Sequence, residues 1–259
     1  MPDRALQQPT AGPSLRAPRW RRFRRIGGEV LRREGPGRVF ARTAVVARGA
    51  FYRSVVILAR DLSQPVPDVT SAVPVEMRLL QAADAPALVR HRADLDPARI
   101  AARLDRVGHG HDCVTAWLDD VIVSSVWLAF ETARVPEIDR PLRLGPGEVF
   151  LYDSYTSESQ RGHGIATIRA VWTARYLRDA GYRYAIGHTA PENRPAHGPP
   201  ERAGYRPLGI AGYVRVGPWR RDFVQPLGSR RRWARRNEPI DVSGDFLTTT
   251  AEQRLSVAV

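Results

Sequence analysis

The stretch that most constrains this chain is a pair of glycines between a strand-like run and a helix-like run. The segment Gln160-Arg161-Gly162-His163-Gly164-Ile165-Ala166 follows the apolar run from Val149 to Thr156 and precedes an amphipathic pattern that continues to Ala180. Glycine lacks a Cβ atom, so it allows a tight turn and lets a ligand approach the backbone closely. The first N–H groups of the following helix lack intrahelical partners and carry the positive end of its dipole, which favours a phosphate. The segment therefore predicts a strand, a phosphate-binding turn and a helix.

The sequence after this turn adds a second, longer pattern. The helix is predicted to end at Gly181, a strand spans Tyr182 to Thr189, and Asn193-x-x-Ala196 and Glu201-Arg202-Ala203-Gly204-Tyr205 follow before another strand. Together with the spacing Arg161-x-x-Gly164-x-Ala166, this order resembles the GNAT superfamily of acyl-CoA-dependent N-acetyltransferases over residues 74–217. The resemblance implies an α/β fold with a mixed, mostly antiparallel central sheet flanked by helices.

The resemblance also implies where the substrates bind. It assigns the pyrophosphate of acetyl-CoA, or of another acyl-CoA, chiefly to the backbone of the glycine turn: Arg161, Gly162, His163, Gly164, Ile165 and Ala166. The backbone around Tyr155 and Thr156 would align the thioester, because a preorganised N–H stabilises the negative charge that develops on the carbonyl oxygen. Asn193 would contact the CoA, and no metal is implied.

Acyl transfer to an amine also needs a group that removes a proton from the amine. Asp153, on the predicted central strand, is the first candidate for this base, and Glu148 is the second. An equally weighted alternative is that Asp153 accepts hydrogen bonds from neighbouring groups and does no chemistry. Because side chains alternate along a strand, Tyr152 and Tyr155 are predicted to lie on opposite faces.

The proton donor for the departing thiolate is less clearly marked. The resembling family often has a tyrosine seven residues after the position of Asn193, but this chain has Pro200 there. Tyr205, Tyr155 or His197 would have to substitute, or the thiolate would leave without direct protonation.

The rest of the domain is predicted from local patterns. Asp119-Asp120 indicates a hairpin turn between two β-rich runs, and the segment Glu131–Gly147 is predicted to be a loop over one edge of the site. Cys113 is predicted to be a core residue, His109 and His111 to be turn residues rather than metal ligands, and Arg169 to lie on the exposed side of its helix. The remaining predicted elements are a strand at Val75–Leu80, helices at Ala82–Arg90 and Pro97–Arg106, hairpin strands at Cys113–Leu118 and Val121–Phe130, and strands from Tyr205 to Val216 with a bulge at Gly209–Gly212.

Both ends of the chain are predicted to lie outside this domain. Residues 1–18 are predicted to be a disordered lead, 19–63 an arginine-rich helical extension with a helix over Val39–Leu62, and 64–73 a proline-rich linker. The helix either packs on the catalytic domain, which we favour, or lies on an anionic membrane surface. Residues 218–259 are predicted to be a basic and then flexible tail, for which nucleic-acid binding is the less favoured interpretation.

Composition adds a charge argument. The formal net charge is +13, and all 40 basic residues are arginine, which favours an anionic partner. The single cysteine excludes an internal disulfide, so the chain is predicted to be cytoplasmic, with membrane association as the alternative. The predicted activity is transfer of an acetyl or other short acyl group to a small-molecule or peptide amine, with the acceptor and the oligomeric state left open. The alternative is a non-catalytic module that binds CoA or docks on an anionic membrane or nucleic acid.

Overall fold

A large twisted sheet organises the part of the chain that the computed structural model describes, residues 51–107 and 109–247. The strands, in chain order, are β1 (Tyr52–Asp61), β2 (Glu76–Leu79), β3 (His111–Leu118), β4 (Val121–Ala129), β5 (Thr132–Val135), β6 (Arg140–Arg143), β7 (Glu148–Thr156), β8 (Tyr184–Thr189), β9 (Arg206–Val216), β10 (Trp219–Pro226), β11 (Arg232–Ala234) and β12 (Ile240–Asp241). The helices are α1 (Ala85–His91), α2 (Pro97–Leu104), α3 (Ile165–Asp179) and α4 (Gly198–Arg202). Single 3₁₀ turns lie at Ala82–Asp84, Glu158–Gln160 and Arg194–Ala196, and a π turn at Ser243–Leu247.

The nine strands of this sheet run in the order β11-β10-β9-β1-β8-β7-β4-β3-β2. Every neighbouring pair is antiparallel except β7 and β8, which are parallel. A second sheet, in the order β12-β6-β5, has three strands. The predicted mixed, mostly antiparallel sheet flanked by helices is therefore confirmed.

The large sheet is buried on both faces, and each face has its own core. Leu88 of α1, Val135 of β5 and Phe150 of β7 belong to one cluster of buried residues, so α1 and the small sheet cover that face. Val171 and Leu177 of α3 belong to the other cluster, so α3 covers the opposite face. A strand between two cores must be apolar on both sides, and this requirement explains the unbroken apolar runs in the central strands.

Several local predictions are confirmed. Asp119 and Asp120 have φ angles of 47° and 60° and form the hairpin turn between β3 and β4. Helix α2 begins directly after Asp96, whose side chain accepts a hydrogen bond from the backbone N–H of Arg99 and so caps the helix. Cys113 is buried, as predicted, and burial raises the pKa of its thiol to about 12.

The predicted helix over Val39–Leu62 is wrong for the part that the structure describes. Residues Tyr52–Asp61 form β1, which pairs with β8 on one side and β9 on the other. Val55 and Ile57 face one core while Leu58 faces the other, so this apolar run is a strand buried on both faces and not an amphipathic helix. The rest of the extension, residues 19–50, and the lead, residues 1–18, lie outside the described residues. None of the described helices is long and apolar enough to cross a membrane.

Arg60 of β1 ties this strand to the segment before β9. Its guanidinium donates to the carbonyl of Ala203 at 2.6 Å and to the carbonyl of Pro65 at 2.8 Å. A Cβ atom at Gly204 would lie 1.8 Å from the Arg60 guanidinium, and Gly204 has a φ of 88°, so this position requires glycine. The domain predicted over residues 74–217 leaves out β1, although β1 lies in the middle of the large sheet between β8 and β9.

The predicted loop at Glu131–Gly147 and tail at 218–259 also differ from the structure. The first contains β5 and β6, and the second contains β10, β11 and β12, while residues 248–259 lie outside the described part of the chain. The two segments meet at Arg140, which donates to the carbonyls of Glu238 and Phe223 and lies 3.7 Å from the carboxylate of Asp222. Such pairing between distant segments leaves no local signal in the sequence.

Candidate active site

A cleft opens where the two parallel strands of the large sheet separate. Strands β7 and β8 pair only through Glu148–Phe150 and Tyr184–Ile186, although both strands continue beyond that point. The diverging ends border a cavity of about 1060 Å³, whose walls also include the glycine turn, the start of α3 and the segment around α4. A parallel pair that separates in this way exposes backbone groups of both strands to a ligand between them.

A bulge in β7 lies at the edge of this cleft. Tyr152 is opposite Trp127 and Tyr155 is opposite Ser125, so β7 has one more residue than β4 across this interval. Asp153 lies in the bulge and has a φ of 49°. Because cross-strand partners share a face of the sheet, Tyr152 and Tyr155 lie on the same face, and the predicted opposite placement is wrong.

The two tyrosines nevertheless have different surroundings. Tyr152 is buried, and its hydroxyl group is hydrogen-bonded to Nδ1 of His111 at 3.0 Å. The Tyr155 ring packs edge-on against His91 and lies 4.4 Å from the guanidinium of Arg92. His111 is thus the first residue of β3 and not a turn residue, whereas His109 does lie in a turn. Within the described residues, no group of three or more metal-ligand side chains is present.

The glycine turn has the geometry of an anion site. Gly162 and Gly164 have φ angles of 86° and 83°, and α3 begins at Ile165. In residues 51–107 and 109–247, no protein group accepts a hydrogen bond from the backbone N–H groups of residues 162–166. These donors lie at the positive end of the α3 dipole and beside the cleft, so a ligand phosphate would satisfy them.

The neighbours of the turn hold it in place. The backbone N–H of Ala72 donates to the carbonyl of His163 at 2.9 Å, and a Cβ at Gly164 would lie 3.3 Å from the carbonyl oxygen of Thr70. His163 is the one residue of the predicted phosphate set that does not line the cleft. By contrast, a Cβ at Gly162 would meet no described atom within 4 Å, so the space beside this lining residue of the cleft is open.

Both carboxylates proposed as the base have protein partners. One oxygen of Asp153 accepts from Arg92 at 3.1 Å and the other from Arg103 at 2.5 Å. Glu148 is buried at the paired end of β7, where it accepts from the backbone N–H of Gly145 and from the hydroxyl of Ser243. Glu148 does not line the cleft, and Asp153 has no oxygen left without an arginine partner, so the geometry favours a non-chemical role for Asp153.

Arg169 is buried, although the sequence pattern predicted that it lies on the exposed side of its helix. It is 4% exposed and donates to the carbonyls of Ser125 and Tyr155 at 2.5 and 3.0 Å, and to the hydroxyl of Ser154 at 2.5 Å. It therefore holds β4 and β7 together from the α3 side, directly beneath the bulge. Burial lowers the pKa of Arg169 to about 10, which still leaves it charged at neutral pH. The prediction failed because an arginine within a helical pattern gives no local sign of burial.

The segment around α4 forms the remaining wall. Asn193 lines the cleft and is exposed, and the half-buried Pro200, at the expected tyrosine position, also lines it. Tyr205 also lines the cleft, is 4% exposed, and has a hydroxyl group without a hydrogen-bond partner in the described residues. Burial raises the pKa of Tyr205 above its usual range, so its hydroxyl is protonated at neutral pH. His197 does not line the cleft and instead contacts the carbonyl of Ala190.

One pair in the cleft was missed entirely. His188, near the end of β8, lies 2.8 Å through Nε2 from a carboxylate oxygen of Glu137, which lies between β5 and β6. Both residues line the cleft. No spacing rule connects positions 137 and 188, so the sequence carried no signal for this pair.

The glycine turn, both separating strands and the segment around α4 all lie within the region that matches a known family. A profile of the Acetyltransferase (GNAT) family matches residues 77–205. This chain therefore belongs to the GNAT superfamily. No curated protein matches it.

Solved structures with detectable similarity are distant. Ribosomal-protein-alanine N-acetyltransferase from Brucella melitensis biovar Abortus 2308 has 15% identity and a TM-score of 0.38 over 48% of this chain and 86% of that chain. AAC(6')-Iy, in complex with the bisubstrate analog CoA-S-monomethyl-acetylneamine, has 15% identity and a TM-score of 0.42 over 51% and 90%. A putative GNAT acetyltransferase from Novosphingobium aromaticivorans DSM 12444 has 13% identity and a TM-score of 0.44 over 61% and 62%, so this chain spans less than two thirds of that protein.

Proposed function

We propose that this chain transfers an acetyl or other short acyl group from acyl-CoA to an amine. The observation that carries the proposal is the meeting of two features at one cleft. Backbone N–H donors that have no hydrogen-bond partner among the described residues lie at the start of α3, and the adjacent strands β7 and β8 separate beside them. The first feature suits the pyrophosphate of CoA, and the second leaves room for its extended arm and thioester.

Charge on the wall of the cleft supports an anionic substrate. Arg161, Arg194 and Arg202 line the same cleft as the glycine turn. The side chain of Arg161 is more than half exposed, and its Nε and Nη1 atoms donate to Thr156 and Glu158, so its Nη2 atom is available to a phosphate. Asn193 lies beside Arg194 and is the proposed side-chain contact to CoA on this wall.

The acyl group would lie at the separated end of β7. In this proposal the backbone around Tyr155 and Thr156 faces the thioester carbonyl and stabilises the charge that develops on its oxygen. Asp153 keeps Arg92 and Arg103 in place and so maintains the bulge, instead of acting as the base. Of the side chains considered as proton donors, Tyr205 lines the cleft and its hydroxyl has no partner within residues 51–107 and 109–247, so we assign it the protonation of the departing thiolate.

Titration of the full chain with acetyl-CoA, followed by calorimetry, tests the CoA site. Gly162 and Gly181 make a matched pair, because their φ angles are 86° and 85° and a Cβ at either would meet nothing within 4 Å. Alanine at each position introduces a similar backbone strain, on the order of 1 kcal/mol. We expect Gly162→Ala to weaken acetyl-CoA binding at least fivefold and Gly181→Ala to leave it unchanged. Equal affinities in the two variants would remove the turn from the site.

Release of CoA from acetyl-CoA in the presence of a panel of primary amines tests the transfer itself. Tyr205→Phe deletes only a hydroxyl that has no hydrogen-bond partner in the described part of the chain, so it should not lower the free energy of unfolding. We expect this variant to release CoA at least tenfold more slowly with unchanged acetyl-CoA affinity. A Tyr205→Phe variant with full activity would show that the thiolate leaves without help from this residue.

A further inference from the structure

The cleft carries several positive charges and little negative charge. Its lining residues include Arg161, Arg169, Arg194 and Arg202. Among the described lining residues, only Glu137 and Asp153 have carboxylate groups. Both oxygens of Asp153 accept from arginines, so its charge is locally compensated. Among the residues that the structure describes, Glu137 is thus the one lining carboxylate without an ion pair to an arginine.

Glu137 is also available to a ligand. Its side chain is 45% exposed, and only its Oε2 atom accepts a hydrogen bond from another described residue, Nε2 of His188. Burial is the largest single influence on the pKa of this carboxyl and raises it, but the hydrogen bond from His188, the charge of His188 and the hydrogen bond from the backbone of Glu137 together outweigh burial and lower the pKa. Glu137 is therefore ionised at neutral pH, and Arg53 adds to the lowering without forming an ion pair with it.

His188 gives Glu137 a fixed orientation. The His188 side chain is 7% exposed, and its ring stacks on the ring of Phe150 at 5.3 Å between centroids. Because Nε2 must carry a hydrogen atom to donate to an ionised carboxylate, the neutral imidazole has its lone pair on Nδ1. Nδ1 has no hydrogen-bond partner in the described residues, so the Glu137 contact is the one polar contact that its side chain makes there.

The location of the pair agrees with an acceptor site. His188 lies two positions beyond Ile186, where the pairing between β7 and β8 ends. The His188 ring stacks on Phe150, which is the last residue of β7 that pairs with β8. Phe150 lies on the same face of the sheet as Tyr152. Glu137 therefore lies beside the separating strands and apart from the glycine turn at the start of α3.

We propose that Glu137 binds the ammonium group of the acceptor substrate and that His188 is the positioning residue that orients its carboxylate. This subsite rests on the proposed function, since it presents an amine to a thioester that lies between β7 and β8; the bound ammonium gives up one proton to water before its nitrogen attacks the thioester. The substrate class that it selects is a primary amine in its protonated form, recognised by a charge-assisted hydrogen bond. An uncharged group of the same size in place of the ammonium cannot form this charge-assisted hydrogen bond.

Two synthetic CoA derivatives test this subsite without knowledge of the natural acceptor. S-(2-aminoethyl)-CoA carries an ammonium group just beyond the sulfur atom, and S-propyl-CoA has a neutral group of similar size. We expect the full chain to bind the aminoethyl derivative at least tenfold more tightly than the propyl derivative by calorimetry. Glu137→Gln should reduce this ratio to less than threefold while leaving the affinity for S-propyl-CoA unchanged.

Asp139 supplies a matched control from the same turn between β5 and β6. It is exposed and pairs with Arg134, so Asp139→Asn removes an equal charge two residues away. We expect this variant to keep the tenfold preference. If Asp139→Asn and Glu137→Gln lower the ratio equally, or if the parent protein binds both derivatives equally, the subsite proposal is wrong.

Variants of His188 separate positioning from general stability. His188→Gln retains an N–H donor and should keep most of the preference for the aminoethyl derivative, whereas His188→Leu should lose at least half of the ratio. Equal ratios in these two variants would remove His188 from the subsite. Failure of the parent protein to bind either derivative would instead contradict the CoA site, so the two proposals fail in different ways.

Discussion

Two regions of this molecule each contain a buried arginine, and they differ in whether a carboxylate balances its charge. Arg140 of β6 is completely buried, and the equally buried carboxylate of Asp222 lies 3.7 Å from its Nε atom. Arg169 of α3 is nearly as buried, but in the described residues no carboxylate forms an ion pair with it or raises its pKa. The first region is a neutralised structural network, whereas the second keeps an uncompensated cation beside a cleft.

This difference shows that a buried arginine can either stabilise the fold or contribute to a ligand-binding site. A buried charge with a counter-ion and several hydrogen bonds joins distant segments, as Arg140 does for β6, β10 and Glu238. A buried charge that has only neutral acceptors is less favourable for folding, and among the described residues Arg169 donates only to carbonyls and hydroxyls, while its Nε atom has no partner there. An anionic substrate in the cleft would supply the missing negative charge, so we associate Arg169 with binding and Arg140 with folding.

Removing the counter-ion in the structural region should have the largest effect. Asp222 accepts from Arg220 at 2.7 Å and from the backbone of Asn237 at 3.1 Å, in addition to its contact with Arg140. Asp222→Ala leaves Arg140 buried and unpaired, and we expect the free energy of unfolding to fall by about 3–5 kcal/mol. Chemical denaturation measures this loss. A loss below about 1 kcal/mol would mean that the Arg140 region is no more dependent on its counter-ion than the Arg169 region.

Acid should weaken the cleft region through His91. Burial lowers the pKa of His91 to about 4, and the charges of Arg92 and Arg169 add to the effect. In the unfolded chain its pKa is about 6.5, so between these values the unfolded state binds more protons. Stability is then complete above the unfolded pKa and falls as the pH drops toward the folded value, by up to about 3 kcal/mol.

The variant His91→Asn isolates this contribution from the carboxylates, which also titrate in acid. Denaturation curves at pH 7.5 and 4.5 should show a smaller loss for His91→Asn than for the parent chain. Equal losses in the two proteins would show that His91 does not sense the positive charge of this region.

Replacing the uncompensated arginine should have a smaller effect on stability and a selective effect on binding. Arg169→Leu removes the donors that join β4 and β7 below the bulge, together with the charge beside the cleft. We expect acetyl-CoA affinity to fall about tenfold, or about 1.4 kcal/mol, and the pKa of His91 to rise. The free energy of unfolding should fall by less than in Asp222→Ala. Unchanged affinity together with a larger loss of stability would reverse the contrast between the two arginines.

Local sequence was sufficient where an element depends on its own residues. The positive φ angles at Gly162 and Gly164 and the hairpin at Asp119-Asp120 follow from the conformational preferences of these residues. The strand before the glycine turn and the helix after it are also where the sequence predicts them. Each of these features is decided within a few residues along the chain.

Features that depend on contacts with distant parts of the same chain were predicted poorly. The β1 run was interpreted as a helix because apolar residues on both faces of a buried strand lack the alternation typical of half-buried strands. The bulge at Asp153 places Tyr152 and Tyr155 on one face, and simple alternation cannot anticipate an extra residue. Glu137 and His188 meet only because the small sheet packs against the end of β8.

By itself, the sequence determined the order of elements from β2 to β4 and from β7 to β8, the glycine turn and the family to which the chain belongs. Those features rest on backbone preferences and short spacings, which the chain carries wherever it lies in the fold. The tertiary structure alone decided that β1 lies between β8 and β9, that Arg169 is buried beneath the bulge and that Glu137 faces the cleft. These outcomes depend on burial and on contacts between segments far apart in the chain, and burial is a property of the packed molecule rather than of any residue.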